Sequence, residues 1–221
     1  MARMPAIPEL TVGFDLDMTL IDSRPGIAAT YDALAAETGV FIDSALAVTR
    51  LGPPLEQELA YWFTEAELPA VADRYRELYV EHAITPTLAM PGAHAALDAV
   101  RAAGGRSLVV TAKHEGNARL HLEHLGLEPD VLHGWLWAEA KGEALREHTA
   151  HVYVGDHTGD VRGARAAGAL AVAVATGPCA PDELHAEGAD VVLDDLTRFT
   201  EWLAGYSPAR AAGDAAGGAA A

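Results

Sequence analysis

Four short apolar runs, each ending in small or polar residues and each followed by a helix-like pattern, constrain this chain's fold most. They are LTVGF at 10–14, SLVVT at 107–111, HVYVG at 151–155 and ALAVAVAT at 169–176, and a fifth, ADVVL, comes late at 189–193. Runs rich in β-branched residues without polar alternation suit strands buried on both faces. Strands alternating with helices predict a parallel sheet covered on both sides. The intervening helices carry the right ends: PGAHAALDAVRAAGG at 91–105 has Pro near its start and Gly at its close. GDVRGARAAGA at 159–169 ends near Gly in the same way, and a further short strand fits near 131–136.

Residues 24–84 interrupt the alternation. They contain helix-like stretches, including IAATYDALAAETG and PAVADRYRELYVEHA, and no convincing strand. A helical lobe inserted between the first and second strands is expected, with TPTLAMPG at 85–92 as the link back. The reading is therefore α/β: a Rossmann-like parallel core, residues 1–23 and 85–206, with an all-helical cap at 24–84. SPARAAGDAAGGAAA at 207–221 lacks large apolar residues and reads as a disordered tail. No internal repeat is present.

Composition excludes several function classes. One cysteine, Cys179, rules out an intrachain disulfide framework and suits a reducing compartment. The N-terminus has no apolar stretch suited to a signal peptide, and the longest apolar run is far short of a membrane helix. A cytoplasmic protein without membrane partners is expected. A formal net charge of −17 speaks against nucleic-acid binding, which needs Lys and Arg at phosphates. It leaves room for a small phosphorylated substrate, because local cations override the global field. Of 15 basic residues, 13 are Arg and two are Lys, at 113 and 141, so lysine marks places where a compact ammonium is wanted. Oligomeric state is open.

Ligands of an open parallel sheet bind beyond the carboxyl ends of its strands. Asp15 and Asp17 follow the first strand, Thr111 the second, and Asp156 and Asp160 the strand at 151, while Lys141 starts a short helix before that strand. Two carboxylates two residues apart on one side of a strand repel each other unless a cation or a reaction separates their roles. The set suits phosphoryl transfer. Carboxylates hold Mg²⁺, one aspartate attacks phosphorus, a second moves the proton, and Thr111 and Lys141 hold phosphoryl oxygens.

FDLDMTLIDS, Thr111 in VVTAK, Lys141, and VGDHTGD at 154–160 resemble, in order and spacing, the four motifs of the haloacid dehalogenase-like hydrolases. The resemblance spans residues 10–203. The helical insertion looks like the family's C1 cap, and LGPPL at 51–55 with TAK at 111–113 is similar to the phosphoglycolate phosphatase-like branch. By position, the resemblance implies Asp15 as nucleophile and Asp17 as general acid/base, with Thr111 and Lys141 on the phosphoryl group. Mg²⁺ would be held by Asp15, the backbone carbonyl of Asp17 and Asp156, with Asp160 supporting it. Asp17 favours a phosphatase over a dehalogenase. Two departures stand out: Met18 replaces the common glycine of motif one, and Gly142 replaces the frequent proline after the lysine.

Plainer roles stand beside these. Asp15 and Asp17 also read as turn residues, Asp156 and Asp160 as helix caps, and Thr19 as a residue whose hydroxyl holds the turn. Lys113 reads as a substrate contact or an exposed lysine. Arg50, beside Gly52, Pro53 and Pro54, reads as part of a substrate-binding cap loop or an ordinary turn. His114, His121 and His124 read as a solvated helix face rather than a metal site. Tyr61, Trp62 and Phe63 read as cap core, and Trp135 and Trp137 as a strand edge without function. A phosphomutase of the same fold, or a non-enzymatic binding member, is the alternative function.

Overall fold

The computed structural model describes residues 10–206, so the expected disordered tail at 207–221 lies outside the described residues. In chain order, β1 (Thr11–Phe14) and β2 (Ile21–Asp22) lead into α1 (Arg24–Thr38), α2 (Ser44–Ala47), α3 (Leu55–Leu59) and α4 (Leu68–His82). Then come β3 (Leu88–Ala89), α5 (Ala93–Ala102), β4 (Arg106–Val110), α6 (Glu115–Leu125) and β5 (Val131–His133). The described residues finish with α7 (Lys141–Glu147), β6 (Val152–Gly155), α8 (Thr158–Ala167), β7 (Leu170–Val174), α9 (Pro181–Glu187), β8 (Val191–Leu193) and α10 (Phe199–Gly205).

Six strands form one parallel sheet in the order β5-β4-β1-β6-β7-β8. The apolar runs have no polar alternation because both faces are covered. Val12, Phe14, Val109, Val152, Val154, Val172 and Val174 pack against α5, α6 and α10. Their neighbours Leu108, Val110, Tyr153, Ala171 and Ala173 pack against α7, α8 and α9 on the other face. This is the period-two geometry of a strand used twice. Phe14 meets Phe199 edge to face at 5.3 Å between ring centroids.

The four helices between β2 and β3 enclose their own apolar cluster, with Ile27, Tyr31, Leu34, Leu59, Tyr75 and Leu78 buried in it. Of the three aromatics at 61–63, Phe63 is buried, Trp62 is half-buried and Tyr61 is exposed, so the expected cap-core role divides among them. The helical lobe is joined to the sheet by an antiparallel ribbon, Ile21 opposite Ala89 and Asp22 opposite Leu88. A ribbon of two residues per strand has too little pattern to be read in sequence. Among the described residues, no helix is long and apolar enough to cross a membrane.

Candidate active site

The first, fourth and sixth strands end on the same sheet edge, and the residue after each end points into one cluster. Asp15 follows Phe14, Thr111 follows Val110, and Asp156 follows Gly155. The Asp15 N–H donates to the Val154 carbonyl at 2.8 Å, carrying the sheet ladder one residue further and fixing the start of the loop. Leu16 accepts backbone hydrogen bonds from Thr19, Leu20 and Ile21, so the chain turns tightly after the strand.

One ammonium organises the acids. Lys141 Nζ donates to Asp15 Oδ1 at 2.7 Å, Asp160 Oδ1 at 2.6 Å and the Tyr153 hydroxyl at 2.9 Å. Lys141 is 1% exposed, so it is a structural centre of the site rather than a solvated lysine. Asp160 works twice: Oδ1 faces Lys141 and Oδ2 accepts from the His157 N–H at 3.0 Å, capping α8. Thr19 does not hold its own turn through its hydroxyl. It donates across the site to Asp156 Oδ1 at 2.8 Å, because the turn places Thr19 beside the end of β6.

Two glycines make room for these carboxylates. A Cβ on Gly155 would lie 2.3 Å from Asp160 Cγ, and one on Gly177 would lie 1.7 Å from Asp156 Oδ2. Met18, where the family commonly has glycine, adopts φ 59° and is buried. Its N–H donates to the Ile21 carbonyl at 2.8 Å, and its own carbonyl accepts from the Thr176 hydroxyl at 2.5 Å. A left-handed non-glycine residue is strained by about 1–2 kcal/mol, and these contacts hold it.

The two motif-one acids live in different fields. Burial lifts the Asp15 pKa to about 7, the Lys141 charge opposing and Asp160 adding to the rise. Asp156 is raised well above the usual carboxylate range by burial, then by Asp160 and Asp15. Burial pushes Asp17 up as well, but the Lys113 charge and the Ser23 hydroxyl outweigh it, and its pKa is lowered. Lys113 Nζ lies 2.9 Å from Asp17 Oδ1 and donates to the Tyr79 hydroxyl at 2.8 Å. It is therefore neither exposed nor free to reach outward. Tyr79, on α4, also meets His121 Nε2 at 2.8 Å.

His121 is fully buried, contrary to the solvated face expected of that helix, because α6 packs under α4. Lysine can only donate, so the Tyr79 hydroxyl accepts from Lys113 and donates to His121 Nε2. The His121 proton then sits on Nδ1, which has no partner. Burial holds this histidine's pKa down at about 3.

Above the acids lies a cavity of about 160 Å³ between sheet edge and cap. Asp15, Asp17, Thr111 and Lys113 line its floor, and Leu51, Tyr75, Tyr79 and Arg76 line its cap side. Trp135 and Trp137 border it too. They are not a strand edge: β5 stops at His133, and Trp135 turns the chain at φ 63° into the cavity wall. Arg50 does not join the set. It pairs with Glu58, stacks 4.5 Å from the Tyr61 ring centroid, and borders a separate cavity with His157 and Cys179. Arg76 was missed in the sequence because nothing in a helical pattern says which polar residues face a partner lobe. It lies over Trp135 at 4.7 Å and pairs with Glu56 and, at 3.1 Å, Asp73.

Asp15, Asp156 and Asp160 each bring a carboxylate oxygen within 4.8 Å of the others, all buried. With one ammonium among three acids, and two of the acids raised by burial and then by neighbouring acids, the donor set fits a hard divalent cation. The Asp17 carboxylate stands outside that cluster.

Sheet order, inserted helices and this acid cluster define one class of protein: the chain belongs to the haloacid dehalogenase-like hydrolases. That family's model matches residues 12–165, and a second model of haloacid dehalogenase hydrolase-like proteins matches 133–199. The chain is 32% identical to a phosphoglycolate phosphatase of Rhodospirillum rubrum, covering 86% of this chain and 89% of that protein. It is 31% identical to the tyrosine-protein kinase PtkA of Mycobacterium tuberculosis, over 86% of this chain and 70% of the other. A haloacid dehalogenase-like family hydrolase from Streptococcus pneumoniae superposes with a TM-score of 0.78 at 23% identity, covering 88% of this chain and 98% of that one.

Proposed function

We propose that the protein is a Mg²⁺-dependent phosphatase that hydrolyses a small phosphate monoester, phosphoglycolate-like in size and charge, through an aspartyl-phosphate on Asp15. The observation that carries this reading is Lys141 Nζ bridging Asp15 and Asp160, at 2.7 and 2.6 Å, with Asp15 on the floor of the cavity between sheet and cap. The phosphatase relative supports the reaction class, and the small cavity supports a small leaving group.

Asp15 attacks phosphorus while the ester P–O bond breaks; Asp17, ionised beside Lys113 in the free enzyme, takes the proton of the monoanionic phosphate ester and passes it to the departing oxygen. Asp17 then takes a proton from water as that water attacks the phosphorus of the acyl phosphate, freeing inorganic phosphate and Asp15. Lys141 keeps Asp15 oriented and counters the charge that burial disfavours. Thr111 presents its hydroxyl at the cavity floor for a phosphoryl oxygen. Lys113 and Ser23 hold the Asp17 carboxylate in place between the two half-reactions. Mg²⁺ bound by Asp15 and Asp156, with Asp160 and the Asp17 carbonyl in support, would neutralise charge on the phosphoryl oxygens. The cap helices exclude bulk water during the first half-reaction.

The test is hydrolysis of p-nitrophenyl phosphate with Mg²⁺, with chelator, and in Asp15→Asn. Loss of turnover in the last two is expected, by about 10³-fold or more for the substitution. Equal activity in wild type and variant, or indifference to chelator, removes the mechanism. With glucose 1-phosphate, free phosphate marks the phosphatase, whereas glucose 6-phosphate without phosphate release would mark a mutase.

A further inference from the structure

At the far end of α7 from Lys141, a second group of ligand-type side chains converges. His148 closes the C-terminus of α7, and His133 is the last residue of edge strand β5. Their Nε2 atoms face each other at 2.9 Å, with ring centroids 5.1 Å apart. Glu147 adds a carboxylate oxygen, and the three ligand atoms lie within 4.8 Å of one another. Both imidazoles are half-buried and Glu147 is exposed, so the group is held yet open to solvent.

We propose that His133, His148 and Glu147 bind one late first-row divalent transition ion, Zn²⁺, Ni²⁺ or Cu²⁺, at a site separate from the acidic cluster. The backbone sets the ring positions without help from an ion. His133 pairs with Val110 in the ladder, and its carbonyl accepts from the Thr111 N–H at 3.0 Å. His148 donates its N–H to the Ala144 carbonyl at 3.2 Å, Thr149 reverses the chain at φ 52°, and Ala150 N–H closes the turn on Leu145 at 2.8 Å.

Two nitrogens about 2.05 Å from one ion stand about 2.9 Å apart at a right angle and about 3.4 Å apart in a tetrahedron. The observed spacing meets the first and is a small side-chain rotation from the second. Imidazole donors select late transition ions over Mg²⁺, and the carboxylate supplies one negative charge. Arg106 is a nearby cation that opposes positive charge at His148. The two histidines are 15 residues apart and bracket Trp135, Trp137 and Lys141. A bound ion therefore clamps both ends of the segment that builds one wall and the central ammonium of the active site.

The test is calorimetric titration of the full chain with Zn²⁺, in excess Mg²⁺ that saturates the acidic cluster. One equivalent binding at micromolar Kd is expected. His133→Ala and His148→Ala each weaken it at least tenfold, while Asp156→Asn leaves it unchanged. Zn²⁺ should raise the Tm of the wild type and not that of His148→Ala, whose own melt shows that it folds. Unchanged binding in both histidine variants, loss confined to Asp156→Asn, or no binding below millimolar Zn²⁺ overturns the proposal.

Discussion

On the core side of the cavity, the charged groups are buried and tied to partners from distant strand ends. On the cap side, charges stay near the surface and pair with other cap residues. Lys141 and Asp160 are 1% and 3% exposed, whereas Arg74 and Glu37, paired at 2.6 Å in the cap, are 43% and 42% exposed. Such half-exposed pairs contribute about 0–1 kcal/mol each, while breaking a buried one costs about 3–5 kcal/mol. The core thus holds a fixed charge arrangement suited to phosphoryl transfer. The cap holds replaceable polar groups that can select what carries the phosphate.

The contrast is broken most strongly at Lys141. Lys141→Met leaves Asp15 and Asp160 facing each other in a buried site. It should lower unfolding free energy by about 3–5 kcal/mol in urea and abolish turnover. A melt within 1 kcal/mol of wild type would show that the acids do not depend on the ammonium.

The seam between the lobes comes next. His121 keeps a pKa of about 3 in the fold, against about 6.5 unfolded, so below pH 6.5 the unfolded chain takes up a proton that the fold refuses. Stability should therefore fall as pH drops from 6.5 toward 3, by about 2–3 kcal/mol from this group by pH 4.5. Urea curves at pH 7 and 4.5 should converge in His121→Gln, relative to their separation in wild type. An identical pH dependence in both proteins would place the acid sensitivity elsewhere.

Arg76 sharpens the cap side. Arg76→Ala should raise KM for esters with an anionic leaving group by about tenfold, roughly 1.4 kcal/mol, and leave kcat for p-nitrophenyl phosphate nearly unchanged. A matching loss on both substrate types would move Arg76 from selection to chemistry.

The same division explains what the sequence made legible. Strand runs such as HVYVG were readable because a doubly covered sheet leaves no polar alternation, and the carboxyl ends then located Asp15, Thr111 and Asp156 together. Both lysines, rare in an arginine-rich chain, stand in the site, one on each motif-one acid. The cap was readable as helix but not as surface. Arg50, drawn in by its Gly-Pro-Pro neighbours, turns outward to Glu58, and Arg76 faces the cavity from a helix whose pattern gives no direction. Trp135 and Trp137 mimicked strand alternation, yet a left-handed turn at Trp135 puts them on the cavity. His121 looked solvated because its cover, Tyr79, comes from the other lobe. The Arg76, tryptophan and His121 misreadings concern the seam between core and cap, which local pattern does not encode.

The central claim is that phosphoryl transfer passes through Asp15 rather than directly to water. Turnover of a phosphate monoester made chiral at phosphorus with oxygen isotopes, with a small alcohol acceptor preserving the stereocentre, reads this directly. Two successive in-line displacements should return the phosphoryl group with retained configuration. Inversion would mean a single direct displacement and would contradict the role assigned to Asp15.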